Sequence, residues 1–89
     1  MPPHVKNYLL SINCDISDGI CCEICNSYNM VEIHHIKRRS EFGKKTKHLQ
    51  DLPDNLIALC RTCHDKAHAN VYTKPYLFEL VKKRLNLYV

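Results

Sequence analysis

Cys60-Arg61-Thr62-Cys63-His64-Asp65-Lys66-Ala67-His68 is the stretch on which the reading of this chain turns. It joins a Cys-x-x-Cys knuckle to two histidines four residues apart. Two residues between cysteines let a tight turn aim both sulfurs at one ion, and a closed structural zinc site takes four such ligands in a tetrahedron. The chain supplies the other two at Cys22-Glu23-Ile24-Cys25. A helix starting at the second knuckle would favour Cys60 and Cys63 as thiolates through its positive N-terminal end. Cys21 is separated from Cys25 by one residue more than this spacing, so Cys22 is the expected ligand. Cys14 and Cys21 then stand outside the set.

Four thiolates leave the histidines for a second, open metal site. His64 and His68 lie on one face of a helix, one turn apart. Cys63 and His64 are about 100° apart on the same helix, so it can offer a sulfur to one ion and imidazoles to another. Upstream, Met30-Val31-Glu32-Ile33-His34-His35-Ile36 reads as a β-strand. Successive strand residues point to opposite faces, so His34 and His35 serve one site only if the strand ends or bends at His35. The basic loop that follows favours an ending. His34 then completes a three-imidazole site with His64 and His68, and His35 stands beside it as a base.

Composition fits a small metal-stapled unit. The chain has 89 residues, which predicts one domain over 1–89. A domain of this size buries only roughly 60% of its unfolded surface, and metal binding can supply the missing folding free energy. Six cysteines also suit a disulfide scaffold. The start of the chain, however, lacks the basic-then-apolar pattern of a secretory signal, and paired knuckles beside histidines are metal spacing. Reduced thiols in the cytoplasm are the expectation. No stretch approaches the roughly 20 apolar residues of a membrane span. The net charge of +4 and a pI of about 8.8 permit a polyanionic partner. Lys37-Arg38-Arg39 and Lys44-Lys45-Thr46-Lys47 flank the first histidine pair, and Lys82-Lys83-Arg84 lies near the end.

The expected organisation is a lead-in helix over 4–13, a turn over 15–19 and a core over 20–70. Residues 37–53 read as a loop with room for a short strand, and Leu56-Ile57-Ala58-Leu59 as an apolar strand. A helix over about 61–69 follows. A C-terminal helix over 74–86 has Thr73 or Lys74 near its cap, Pro75 in its first turn, and Leu77, Leu80, Val81 and Leu85 as an apolar stripe.

In this order, Glu32-Ile33-His34-His35-Ile36, Asp54-Asn55-Leu56-Ile57-Ala58-Leu59-Cys60 and Cys63-His64-Asp65-Lys66-Ala67-His68 resemble the HNH endonuclease family. The match covers about half the chain, from Cys22 to His68. The resemblance implies a small α+β, ββα-metal and treble-clef-like core stapled by zinc, with strands near 31–36 and 56–59 and a helix over 61–69, flanked here by N- and C-terminal helices. It implies that Cys22, Cys25, Cys60 and Cys63 hold structural Zn2+. His34 is the implied ligand of one catalytic divalent metal (Mg2+, Mn2+, Ni2+, Co2+ or Zn2+) and His35 the general base. Asn55 would hold the active-site loop and orient His35. His64 is the helix ligand or the final catalytic histidine, and His68 the extra ligand of the three-histidine subgroup that includes colicin DNases. Many members carry Asp at the place of His34 and no ligand at that of His68.

The implied activity is metal-dependent DNA hydrolysis leaving 5′-phosphate and 3′-hydroxyl ends, by nicking or with low sequence specificity. Lys37, Arg38, Arg39, Lys44, Lys45, Lys47, Arg61 and Lys66 are the expected phosphate contacts, with Arg38 or Arg39 as a bidentate clamp. Selectivity would come from a homodimer or from a phage or mobile-element partner protein. The competing readings are a non-catalytic zinc module that binds nucleic acid or protein, and a finger built from Cys22, Cys25, His64 and His68. The module needs neither His35 nor Asn55. The finger leaves Cys60 and Cys63 without a role.

Overall fold

In a computed structural model, residues 3–12, 14, 17 and 19–88 are described, with the side chains of Arg39, Leu87 and Tyr88 outside that description. The elements are α1 (Pro3–Ser11), β1 (Glu32–His35), β2 (Leu56–Leu59), α2 (Arg61–His68) and α3 (Lys74–Tyr88). This is a small α+β fold: one two-stranded antiparallel sheet with three helices around it. Residue 13 of the expected lead-in helix, and 15, 16 and 18 of the expected turn, lie outside the described residues.

β2 is the centre of the core. All four of its residues are fully buried, as expected for an apolar run covered on both sides. Alternation sends Leu56 and Ala58 to one face, where Tyr8 of α1 packs with Ile12, Ile20 and Ile33. Ile57 and Leu59 go to the other, among Cys22, Cys60, Cys63, Leu77 and Val81. The sheet is thus a thin layer between α1 and the α2–α3 pair. Its register pairs His34 with Ile57 and His35 with Leu56. Residues paired across an antiparallel ladder share a face. His34 therefore points toward α2, and His35 toward α1.

The connection from β1 to β2 spans 36–55 and forms 3-10 turns at Arg39–Glu41, Lys47–Leu49 and Pro53–Asn55. The short strand allowed for in this stretch does not form among its described residues. The segment is polar and lysine-rich, with no alternating apolar face to bury. Asn55, buried at the end of the loop, ties it down: its Oδ1 accepts from Lys37 N at 2.8 Å, and its Nδ2 donates to Lys37 O at 3.0 Å and Gln50 O at 2.9 Å.

α2 begins at Cys60, whose carbonyl accepts the first helical bond from His64 N at 2.8 Å. It stops after His68 because Asn70 takes a left-handed conformation (φ 60°) and Val71 N returns to Lys66 O at 2.9 Å. α3 is capped by Thr73, whose Oγ1 accepts from Tyr76 N at 3.4 Å. Its stripe buries Leu77 and Val81 and half-buries Leu80 and Leu85.

Arg84 continues that stripe. Of the basic trio Lys82-Lys83-Arg84, the first two are exposed and Arg84 is buried. Its Nη1 donates to Glu23 Oε2 at 2.6 Å and Leu56 O at 2.8 Å, and its Nη2 to Pro53 O at 2.6 Å. Glu23 Oε2 also accepts from Tyr8 Oη at 2.8 Å and Ala58 N at 2.9 Å. One carboxylate inside the first knuckle thereby joins α1, β2 and α3.

Candidate active site and metal centres

Among the described residues, three groups bring metal-ligating atoms within 4.8 Å of one another: Cys22, Cys25, Cys60 and Cys63; His34, His64 and His68; and His4, His35 and Asp51.

The cysteine group follows from two backbone turns. Asn26, in the left-handed region (φ 63°), closes the first knuckle, where Asn26 N donates to Cys22 O at 3.0 Å and Cys22 N to Ser27 O at 2.8 Å. The second knuckle is the start of α2. Sulfurs about 2.3 Å from a common ion at tetrahedral angles stand about 3.8 Å apart. Cys25 Sγ lies 3.5 Å from Cys60 Sγ and 3.8 Å from Cys63 Sγ, so the donor set fits zinc. Burial raises the Cys22 thiol, but hydrogen bonds from the backbone at Cys25, Cys60 and Ile24 outweigh it and bring it down to about 7. Burial and the neighbouring sulfurs push Cys63 up to about 12. A cation among the sulfurs would favour the Cys63 thiolate, and a structural zinc ion would supply that charge. Cys22, and not Cys21, belongs to this group.

The imidazole group is built across β1 and α2. The rings of His34 and His64 have centroids 4.9 Å apart, His34 and His68 5.5 Å, and His64 and His68 4.5 Å. Burial, and then the charges of His64 and His68, lower His34 from 6.5 to about 4. Burial and His68 also lower His64. A His34 that stays neutral at pH 7 presents a lone pair instead of a proton, as a metal ligand must. The donor chemistry fits a divalent transition metal, and His68 is exposed, which leaves the site open.

His35 ends β1 and faces the opposite way, yet it borders the same opening. A groove of about 470 Å³ is lined by Ile33, His34, His35, Arg38, Ser40, His64 and His68. His35 is the last residue of β1, and both adjacent histidines line this groove. The ring partner of His35 is Asp51, whose Oδ1 lies 2.8 Å from His35 Nε2. The Asn55 side chain hydrogen-bonds to loop backbone at Lys37 and Gln50, and none of these bonds goes to the His35 ring. Gln50 precedes Asp51, and the anchor that fixes one carbonyl also fixes the start of the next residue.

Of the expected phosphate contacts, Arg38 lines the groove. Lys37 lies over the Phe42 ring at 4.6 Å and Lys66 near the Tyr72 ring at 5.9 Å. Arg61 reaches Asp65 at 3.5 Å. Lys44, Lys45 and Lys47 are exposed on the loop. The Arg39 side chain lies outside the described residues. Sequence reasoning missed Asp51 and His4. Asp51 gave no signal, being one carboxylate in a polar loop. His4 gave a faint one: it precedes buried Tyr8 by one helical turn, on the same face of α1.

The sequence model of a family described as HNH endonuclease matches residues 22–70, more than half of the chain. A curated relative, the "Putative COX1/OXI3 intron 2 protein" of Saccharomyces cerevisiae, is 30% identical over 76 residues. That alignment covers 79% of this chain and 9% of the relative, so the chain corresponds to a small part of that protein. No solved structure matches the chain. No described helix is long and apolar enough to cross a membrane.

Proposed function

The chain belongs to the HNH endonuclease family, and from that premise we propose that its 89 residues act as one nuclease domain that hydrolyses DNA phosphodiester bonds at the histidine groove, with His35 as general base. The observation that carries this is the meeting of His34, His64 and His68 at one opening beside a His35 ring held by Asp51.

Asp51 is acceptor-only when ionised, so the shared hydrogen bond puts the ring proton on Nε2 and leaves Nδ1 as the acceptor. His35 Nδ1 takes a proton from water as the water oxygen attacks phosphorus. The imidazolium that forms is stabilised by the Asp51 carboxylate. The bond from phosphorus to the 3′ oxygen breaks and the leaving oxygen takes a proton from solvent water, which leaves a 5′-phosphate and a 3′-hydroxyl. Arg38 offers its planar guanidinium to a phosphate of the strand. Asn55 keeps the ends of the loop in register so that His35 and Asp51 stay together. His34, His64 and His68 would hold a divalent metal, which would supply Lewis-acid stabilisation of the charge that develops on the phosphate oxygens. The Cys22, Cys25, Cys60 and Cys63 set would hold structural zinc. Exposed Lys44, Lys45 and Lys47 add salt-dependent contacts to the DNA backbone. Contacts to the phosphate backbone carry no sequence information of their own, which favours nicking or cleavage of low sequence specificity.

The test is plasmid cleavage by protein stripped of its histidine-site metal and resupplied with magnesium, manganese, nickel, cobalt or zinc, beside His35→Ala. Zinc content is measured in every sample, so that lost activity is not lost folding. Metal-dependent nicking that falls by about 10²–10⁴-fold in folded His35→Ala is the expected result. Absence of cleavage by folded, zinc-bearing protein on duplex, single-stranded and branched DNA would leave a zinc-built nucleic-acid or protein interaction module.

A further inference from the structure

His4, His35 and Asp51 form a third metal-ligating group, distinct from the two described above, and no part of the proposed reaction uses it as a metal site. α1 brings His4 over the sheet face that His35 occupies, and the two rings have centroids 4.8 Å apart at 46°. Asp51 comes from the long loop and lies 2.8 Å from His35 Nε2. All three residues are half-buried, so the group is partly desolvated yet reachable from the surface. Two imidazoles and one carboxylate are a recurrent ligand set for zinc, with a remaining position for water.

We infer that this group binds a second labile divalent transition metal, and that zinc bound there inhibits the nuclease by capturing its base. The inhibitory half rests on the reading of His35 as general base; the binding half does not. A cation on one imidazole nitrogen withdraws electron density from the ring. It also occupies the Asp51 carboxylate that would otherwise stabilise the imidazolium. Either nitrogen of His35 is then a poorer proton acceptor. The site spans three separate elements, and α1 contributes a ligand only while it is packed on the sheet. His4 thereby gives the lead-in helix a regulatory contact with the catalytic face.

Zinc titration of the full chain tests this with two readouts. Equilibrium dialysis should give three zinc ions per wild-type chain at saturation and two in His4→Ala, while His34→Ala should keep the His4 site. The imidazole NMR signals of His4 and His35 should move together in the wild-type protein, separately from those of His64 and His68. In nicking assays run with manganese, added zinc should inhibit the wild-type protein, and the midpoint should rise at least about tenfold in His4→Ala relative to that variant's own zinc-free rate. Two zinc ions in the wild type, or His4 signals that stay put at saturation, would overturn the binding site. Three ions with a rate unchanged or raised at saturation would overturn the inhibition. Persistence of nicking in His35→Ala would refute the base assignment while leaving the stoichiometry intact, so the two failures are distinguishable.

Discussion

Glu23 and Arg84, 61 residues apart in sequence, form a buried ion pair of 2.6 Å between the first zinc knuckle and the last helix. Both side chains are nearly out of solvent, and the carboxylate is further held by Tyr8 and Ala58. Removing one member of such a pair leaves a buried charge without its partner and costs about 3–5 kcal/mol. Arg84→Met should destabilise the zinc-loaded protein by roughly 3 kcal/mol in urea unfolding. The double variant Glu23→Gln/Arg84→Met should recover part of the loss, because neither charge then remains buried alone.

Asp51 acts on the reaction through His35. Asp51→Asn keeps a hydrogen-bonding group beside the ring but can present an amide N–H to Nε2, which favours the wrong tautomer. Nicking should fall by at least about tenfold in kcat, with KM for plasmid little changed. A fall confined to KM would show that Asp51 serves DNA binding instead.

Asn55 is a positioning residue of another kind. Asn55→Ala gives up three hydrogen bonds to the backbone of Lys37 and Gln50, two of them to carbonyls. A loss of about 1–3 kcal/mol is expected from the groups left unsatisfied. The Lys37 amide should exchange with solvent markedly faster, and activity should drop with zinc still bound. Unchanged exchange at Lys37 would contradict the anchoring role.

His34 predicts a pH dependence. Its pKa is about 4 in the folded protein, through burial and then the charges of His64 and His68, against an ordinary 6.5. Between these values the unfolded chain binds more protons than the folded one. Stability is therefore fully present above about 6.5 and falls as the pH drops toward 4. Urea unfolding between pH 7 and 5, with cysteine-bound zinc retained, should show this slope, and His34→Asn should flatten it.

The two described metal centres should separate under mutation. Cys63→Ser should release zinc and lose helical circular dichroism, because metal binding at the knuckles is part of the folding free energy. His64→Ala should keep its cysteine-bound zinc and its fold while losing metal-dependent cleavage. Loss of the fold in His64→Ala would assign a structural role to the imidazole site as well.

The sequence by itself determined what depends on local spacing. The knuckles, the His64–His68 pair, the apolar run of β2 and the cap at Thr73 all report geometry within one or two turns of chain, and each takes the form its spacing demands. Tertiary structure decided the rest. Strand register put His34 on the α2 face and His35 on the α1 face, because paired residues share a side of the sheet. Loop closure put Asp51 on His35, and packing of α1 put His4 there too. Arg84 carried a readable phase, seven residues after Leu77 and three after Val81 on the buried stripe, but its charge suggested solvent. Glu23 supplies the opposite charge for that burial, and the carbonyls of Leu56 and Pro53 accept from the same guanidinium. Such pairings have no local signature, since the partner's position exists only once β2 and α3 have packed.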